Sequence, residues 1–238
     1  MLKRIMISAK DISIENECFK NCSSLKNIEF KNANKIRLGS SAFYECVNID
    51  DLIFSSLSII DIDENCFTNS KNIQQIVLNA KNIFIKSESF KNCSSLKSVK
   101  LVSLKYKNKQ NDEIEEDNEM TSSSYLLIQN ITIGDKAFSE LNELEEVSIY
   151  AENEVFMNDY CFYMNPKLKS VSIFVPELHF GDYCFSKCEK LVDISIPYFS
   201  IPSFEQNTFK RTKATLKLIA NEEEIYESSN SFYEIIDS

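Results

Sequence analysis

FKNCSSLK occupies residues 19–26 and returns unchanged at 90–97. Its opening phenylalanine marks a register that runs the length of the chain. Phe19, Phe43, Phe67, Phe90, Phe138, Phe162, Phe185 and Phe209 follow one another at steps of 24, 24, 23, 48, 24, 23 and 24 residues. One frame recurs around each anchor. Apolar residues stand seven and five places before it, a small residue or Cys one place before, and often Cys three places after; further apolar residues follow at six, nine and eleven places. The first unit reads Ile12, Ile14, Cys18, Phe19, Cys22, Leu25, Ile28, Phe30, and the seventh reads Leu178, Phe180, Cys184, Phe185, Cys188, Leu191, Ile194, Ile196. A fixed period of this length specifies a solenoid, in which each coil buries its apolar side only against its neighbours.

Each part of the frame carries a structural expectation. The segment from six to eleven places after Phe has the form L-x-x-I-x-L, as in Leu144-x-x-Val147-x-Ile149, and alternates like a strand with one buried face. One such strand per coil should pair in parallel with the next at about 4.8 Å. The pair seven and five places before Phe, such as Ile131 and Ile133, predicts a second short extended piece on the opposite side. The stretch carrying Cys, Phe and the next Cys is spaced by three and four, which suits one or two helical turns. All three glycines, Gly39, Gly134 and Gly181, lie four places before an anchor, indicating a turn that needs positive φ or a close approach of backbone. The eight cysteines occupy only two slots: Cys18, Cys66, Cys161 and Cys184 just before an anchor, and Cys22, Cys46, Cys93 and Cys188 three after. They read as small buried hydrophobes; bridging between adjacent coils stays open, subject to a Cα separation of roughly 4.4–6.8 Å.

The frame resembles the BspA-type leucine-rich repeats of surface proteins from anaerobic bacteria and parasitic protists. IGDKAFSELNELEEVSI (133–149) follows the I-G-x-x-A-F-x-x-C-x-x-L-x-x-I-x-L form closely, with Leu141 in place of the usual Cys. The fold expected is an α/β repeat, a right-handed leucine-rich-repeat solenoid of about eight 23–24-residue coils with a parallel concave sheet and short helical turns. The resemblance implies adhesion or protein binding, with no fixed binding residues.

Residues 1–220 are assigned to the solenoid, interrupted at 103–129, where six carboxylates lie between Asp112 and Glu119; this stretch reads as an acidic loop. Residues 221–238 read as a C-terminal helical cap, with Asn221 as N-cap and Glu222, Glu223 and Glu224 in the first turn. Leu2, Ile5 and Ile7 match a strand whose coil lacks its Phe half, so an open first edge and end-to-end contact there are expected.

A net charge of −10 argues against nucleic acid as partner. No apolar run reaches the roughly 18–20 residues that cross a bilayer. MLKRIMISAK is too short and interrupted for a secretory signal, and no lipidation motif closes the chain. These absences favour a location inside the cell, whereas the family resemblance favours the cell surface. The Asn-, Lys- and Ile-rich composition suggests an AT-rich genome such as a protist's.

Chemistry finds few residues. The single histidine, His179, lies between Leu178 and Phe180 and reads as a surface residue. The Cys18/Cys22 and Cys184/Cys188 pairs lack the partners of a zinc knuckle. No catalytic, cofactor or metal residues are assigned. Binding has a natural surface on the sheet. Ten places after each Phe stand Ile53 and Val77, an exposed apolar pair, and Ser148, Ser172 and Ser195, a flat polar ladder. By the same count the last coil contributes Lys217 to the eight-place row and Ile219 to the ten-place row. Tyr150, Phe174 and Tyr198 recur at 24-residue intervals beside the ladder. Either these aromatics meet a partner or they turn inward and pack with one another. The function expected is a non-catalytic interaction module that binds a protein through the concave sheet or the open N-terminal edge, as an intracellular assembly or scaffold subunit; the alternative is a cell-surface adhesin.

Overall fold

In the computed structural model of the chain, residues 2–103 and 130–219 are described. They form seventeen strands, all in parallel pairs, and no helix. Each coil supplies two. The pair of apolar residues before each anchor builds the eight-stranded sheet: β2 (Asp11–Ile14), β4 (Lys35–Leu38), β6 (Ile59–Ile62), β8 (Asn82–Ile85), β10 (Asn130–Ile133), β12 (Glu154–Met157), β14 (Glu177–Phe180) and β16 (Ile201–Phe204). The L-x-x-I-x-L segments build a seven-stranded sheet: β5 (Leu52–Ser55), β7 (Gln75–Asn79), β9 (Ser98–Ser103), β11 (Glu146–Ala151), β13 (Ser170–Phe174), β15 (Asp193–Pro197) and β17 (Thr215–Ile219). β1 (Arg4–Ser8) and β3 (Asn27–Lys31) continue that side as a separate pair.

The expected helical turns do not form, so the fold is an all-β solenoid and not an α/β one. The backbone shows why. With Asn32 as the exception, every described residue of positive φ stands two places before or two after an anchor phenylalanine, for example Glu17 (56°) and Asn21 (60°) around Phe19, or Lys136 (54°) and Glu140 (61°) around Phe138. A left-handed residue at the third place of a four-residue turn belongs to the type II family and cannot continue an α-helix. The amide donors divide accordingly. Cys18 N donates to Glu15 O at 3.3 Å and Cys22 N to Phe19 O at 3.1 Å, closing turns within the coil. Glu17, Phe19 and Asn21 instead donate to Ser40, Ala42 and Tyr44 of the next coil at 2.8–2.9 Å. Half of the amides in this stretch therefore link coils, where a helix would spend all of them internally. Three-and-four spacing brought Phe and Cys to one face in either case.

The glycines serve close approach: none has positive φ. A Cβ on Gly39 would stand 2.7 Å from the backbone nitrogen of Asn16, and one on Gly181 would stand 2.6 Å from the carbonyl carbon of Asn158. Neighbouring coils touch at this corner.

The core is a column of anchor rings. Phe43, Phe67, Phe90, Phe138, Phe162 and Phe185 are fully buried. They stack nearly parallel, 5.0 Å apart for Phe43–Phe67, 5.1 Å for Phe90–Phe138 and 5.3 Å for Phe138–Phe162. Isoleucine, leucine and valine from the inner faces of both sheets close around them. The 48-residue step leaves no coil missing from the stack, because β8 pairs directly with β10 and β9 with β11. Of the acidic loop expected at 103–129, Ser103 ends β9 and the remainder lies outside the described residues, as does the whole helical cap expected at 221–238.

Candidate protein-binding face

The seven-stranded sheet carries its outward residues in strict rows, because parallel in-register pairing places equivalent positions of successive coils side by side. The central row runs Ile53, Val77, Lys100, Ser148, Ser172, Ser195 and Lys217. Here the count from the anchor fails in the last coil. Asp193 pairs with Thr215 and Ser195 with Lys217, since the connection from Phe209 to β17 is two residues shorter than its counterparts. Lys217, and not Ile219, therefore extends the serine ladder. The result is a strip of three hydroxyls with an ammonium group at each end. The serines are half-buried and Lys217 is exposed. Burial draws the Lys100 pKa below its usual value, with the neighbouring Glu146 carboxylate opposing.

The apolar pair does not form a patch. Ile53 is 59% exposed but Val77 is 4% exposed. The aromatics separate as well. Phe174 is buried and stacks on half-buried Tyr150 at 6.2 Å, and Tyr150 in turn packs against Val102. Only Tyr198 stands clear of the sheet, 57% exposed, with its edge against Phe199. Val77 and Phe174 thus offer a partner little surface. The outward count along a strand does not say what covers a side chain; Phe174 lies against Tyr150 of the neighbouring strand.

The cysteine slots do more than fill space. Three places after the anchor, Cys46, Cys93 and Cys188 direct Sγ to the carbonyls of Phe19, Phe67 and Phe162 in the preceding coil, at 3.0, 3.2 and 3.1 Å. Ser70 Oγ does the same to Phe43 O at 3.1 Å, and Asn165 Nδ2 to Phe138 O at 2.9 Å. Leu141 apart, the slot carries a side-chain donor, and Ser70 and Asn165 stand in for Cys in that role. In the slot before the anchor, Cys161 and Cys184 bring their sulfurs to 3.2 Å, and all eight cysteines are free thiols. Burial pushes Cys46 up to about 11 and Cys93 and Cys188 up to about 12, so these remain protonated at neutral pH. Six of the eight are buried, Cys22 is partly covered and Cys18 is exposed. Ellman titration of the native protein should therefore report at most two reactive thiols, Cys18 and Cys22, and eight after denaturation.

One cluster escaped the sequence reading. His179 on β14 is not isolated: Glu154, Glu177 and His179 hold their ligand-type atoms within 4.8 Å of one another on the eight-stranded sheet. Glu177 and His179 lie two residues apart on one strand face, and Glu154 is the register partner of Glu177. An E-x-H strand aligned on a glutamate one repeat earlier was the available signal. Elsewhere on the coil surfaces, carboxylates face lysines across coils, as Glu143 with Lys167 and Glu145 with Lys169, both at 2.6 Å.

Comparison with known proteins agrees with the frame. The BspA-type leucine rich repeat region matches in six copies over residues 1–111 and 117–236. The chain belongs to this family. A BspA-type array is a repeat module and not an enzyme, in keeping with a core built from one repeated frame. A crystal structure of a leucine-rich repeat protein from Bacteroides ovatus is similar in fold, with a TM-score of 0.56 at 20% identity. The match covers 92% of this chain and 54% of that one, so the chain spans about half the length of its structural relative. No curated protein matches the chain. No helix among the described residues is long and apolar enough to cross a membrane.

Proposed function

We propose that this BspA-type module binds a protein partner along the central row of its seven-stranded sheet. The observation that carries the reading is the in-register strip Lys100, Ser148, Ser172, Ser195 and Lys217. A hydroxyl both donates and accepts, so three in line can follow the polar groups of a partner's main chain. The lysines at the two ends favour carboxylates, which gives the strip polarity against the net charge of the molecule. Exposed Tyr198 lies next to the last strands and supplies the rigid apolar contact common at interface centres. Small side chains in the middle of the row leave the sheet accessible.

Affinity purification from the source cells, read by mass spectrometry, tests this with two variants. Ser172→Arg places a bulky cation in the strip, and Ser13→Arg places the same charge on exposed β2 of the other sheet. A partner reduced about tenfold or more by Ser172→Arg and retained by Ser13→Arg supports the sheet. A partner equally abundant with both variants moves the contact elsewhere. Labelling of intact cells with an impermeant reagent then distinguishes a scaffold inside the cell from an adhesin on its surface.

A further inference from the structure

We propose that Glu154, Glu177 and His179 form a divalent-cation site on the eight-stranded sheet, suited to Zn2+. The three residues come from two adjacent strands whose register is fixed: Glu154 pairs with Glu177, and Phe156 with His179. Two carboxylates placed side by side on parallel strands repel one another. Among the described residues neither has a lysine or arginine ion-pair partner; the imidazole faces them instead, with His179 Nε2 at 3.1 Å from Glu154 Oε1. That separation is close to the value of about 3.4 Å for two ligands each about 2.1 Å from a tetrahedral zinc ion. Imidazole with carboxylates is a donor set that zinc accepts readily. The fourth position is left to water.

The histidine is held as a metal ligand would be. Its ring stacks on Phe156 at a centroid distance of 4.5 Å and an interplanar angle of 11°. Nδ1 lies 2.8 Å from Ser203 Oγ on β16. In the tautomer that carries its proton on Nδ1, that proton is donated to Ser203 and the Nε2 lone pair points toward the two carboxylates. A hydrogen-bond acceptor for the far ring nitrogen is what orients most metal-binding histidines. Asn130 Nδ2 also donates to Glu154 Oε2 at 3.4 Å, which steadies the second carboxylate oxygen and leaves Oε1 toward the imidazole. The site lies on the sheet opposite the serine strip, so it does not depend on the partner reading.

The chain's one histidine makes the test direct. Zn2+ is titrated into the full chain while the imidazole carbon and nitrogen resonances are followed by NMR and the stoichiometry by calorimetry. Expected is one equivalent bound with the imidazole signals displaced. Glu177→Gln, a conservative change at an exposed position, should weaken binding by about tenfold or more, and Ser203→Ala by about tenfold. Zinc uptake with the imidazole unmoved would place the ion on the accessible thiols and overturn the proposal. So would the absence of binding, or affinity unchanged in Glu177→Gln.

Discussion

Phe138→Ala should lower the unfolding free energy by about 3–5 kcal/mol, the largest effect expected of any single anchor. Phe138 is fully buried, with Phe90 at 5.1 Å on one face and Phe162 at 5.3 Å on the other. Truncation removes both stacking contacts and leaves a void that neither ring can close, because each is held by the next coil. The position matters for a second reason. Phe138 begins the coil that follows the 48-residue step, and it is the ring through which that coil meets Phe90. In a repeat array stability is a sum of intrinsic and nearest-neighbour terms. Weakening the junction should therefore reduce the urea m value as well as the midpoint, since the two halves no longer unfold together. Phe209→Ala is the comparison: its ring is only half-buried and its anchor neighbour Phe185 lies 6.1 Å away, so its loss should be clearly smaller. Equal losses for the two variants would mean that the column is not what holds the array.

The anchor register, the parallel strands and the two cysteine slots were legible because they rest on burial, and burial repeats wherever the sequence does. The turns were not. Positions of positive φ are occupied by Asn21, Asn65, Asn69 and Asn92, which tolerate that conformation, but equally by Glu88, Lys136, Tyr160 and Met164, which carry no such signal. A three-and-four spacing without glycine or proline reads as helix, and only the division of amide bonds within and between coils overrules it. The binding strip was partly legible. Ser148, Ser172 and Ser195 line up as their spacing requires, whereas Lys217 enters the row through a two-residue shortening that a count from Phe209 misplaces. Val77 and Phe174 differ for another reason: alternation marks the outward face of a strand but not how far each outward side chain is covered. The Glu154, Glu177 and His179 cluster joins residues from two repeats, so no local motif announces it.

Asn165→Leu should cost about 3 kcal/mol, although leucine is apolar and the site is fully buried. Asn165 holds the slot three places after Phe162, where the other coils carry a thiol or hydroxyl except for Leu141. Its Nδ2 donates to Phe138 O at 2.9 Å and Phe162 O at 3.0 Å, and its Oδ1 accepts from Leu141 N at 2.9 Å. Phe162 O also receives the Cys188 thiol at 3.1 Å, so it keeps a partner in the variant. Leu141 N and Phe138 O do not, and each buried orphan costs about 1–3 kcal/mol. Asn165→Cys should cost less, because a thiol still reaches Phe138 O as Cys93 reaches Phe67 O. The backbone at Leu141 departs from the repeat at the same place. In regular coils the amide of this slot turns back to its own anchor carbonyl, as Cys46 N does to Phe43 O at 3.2 Å. Leu141 N goes to Asn165 instead, so the irregular leucine and the irregular asparagine form one coupled pair across coils. Restoring both, Leu141→Cys with Asn165→Cys, should then be more stable than the sum of the single changes predicts, with a coupling of about 1 kcal/mol or more in a double-mutant cycle. Strict additivity would show that the two departures from the repeat are independent.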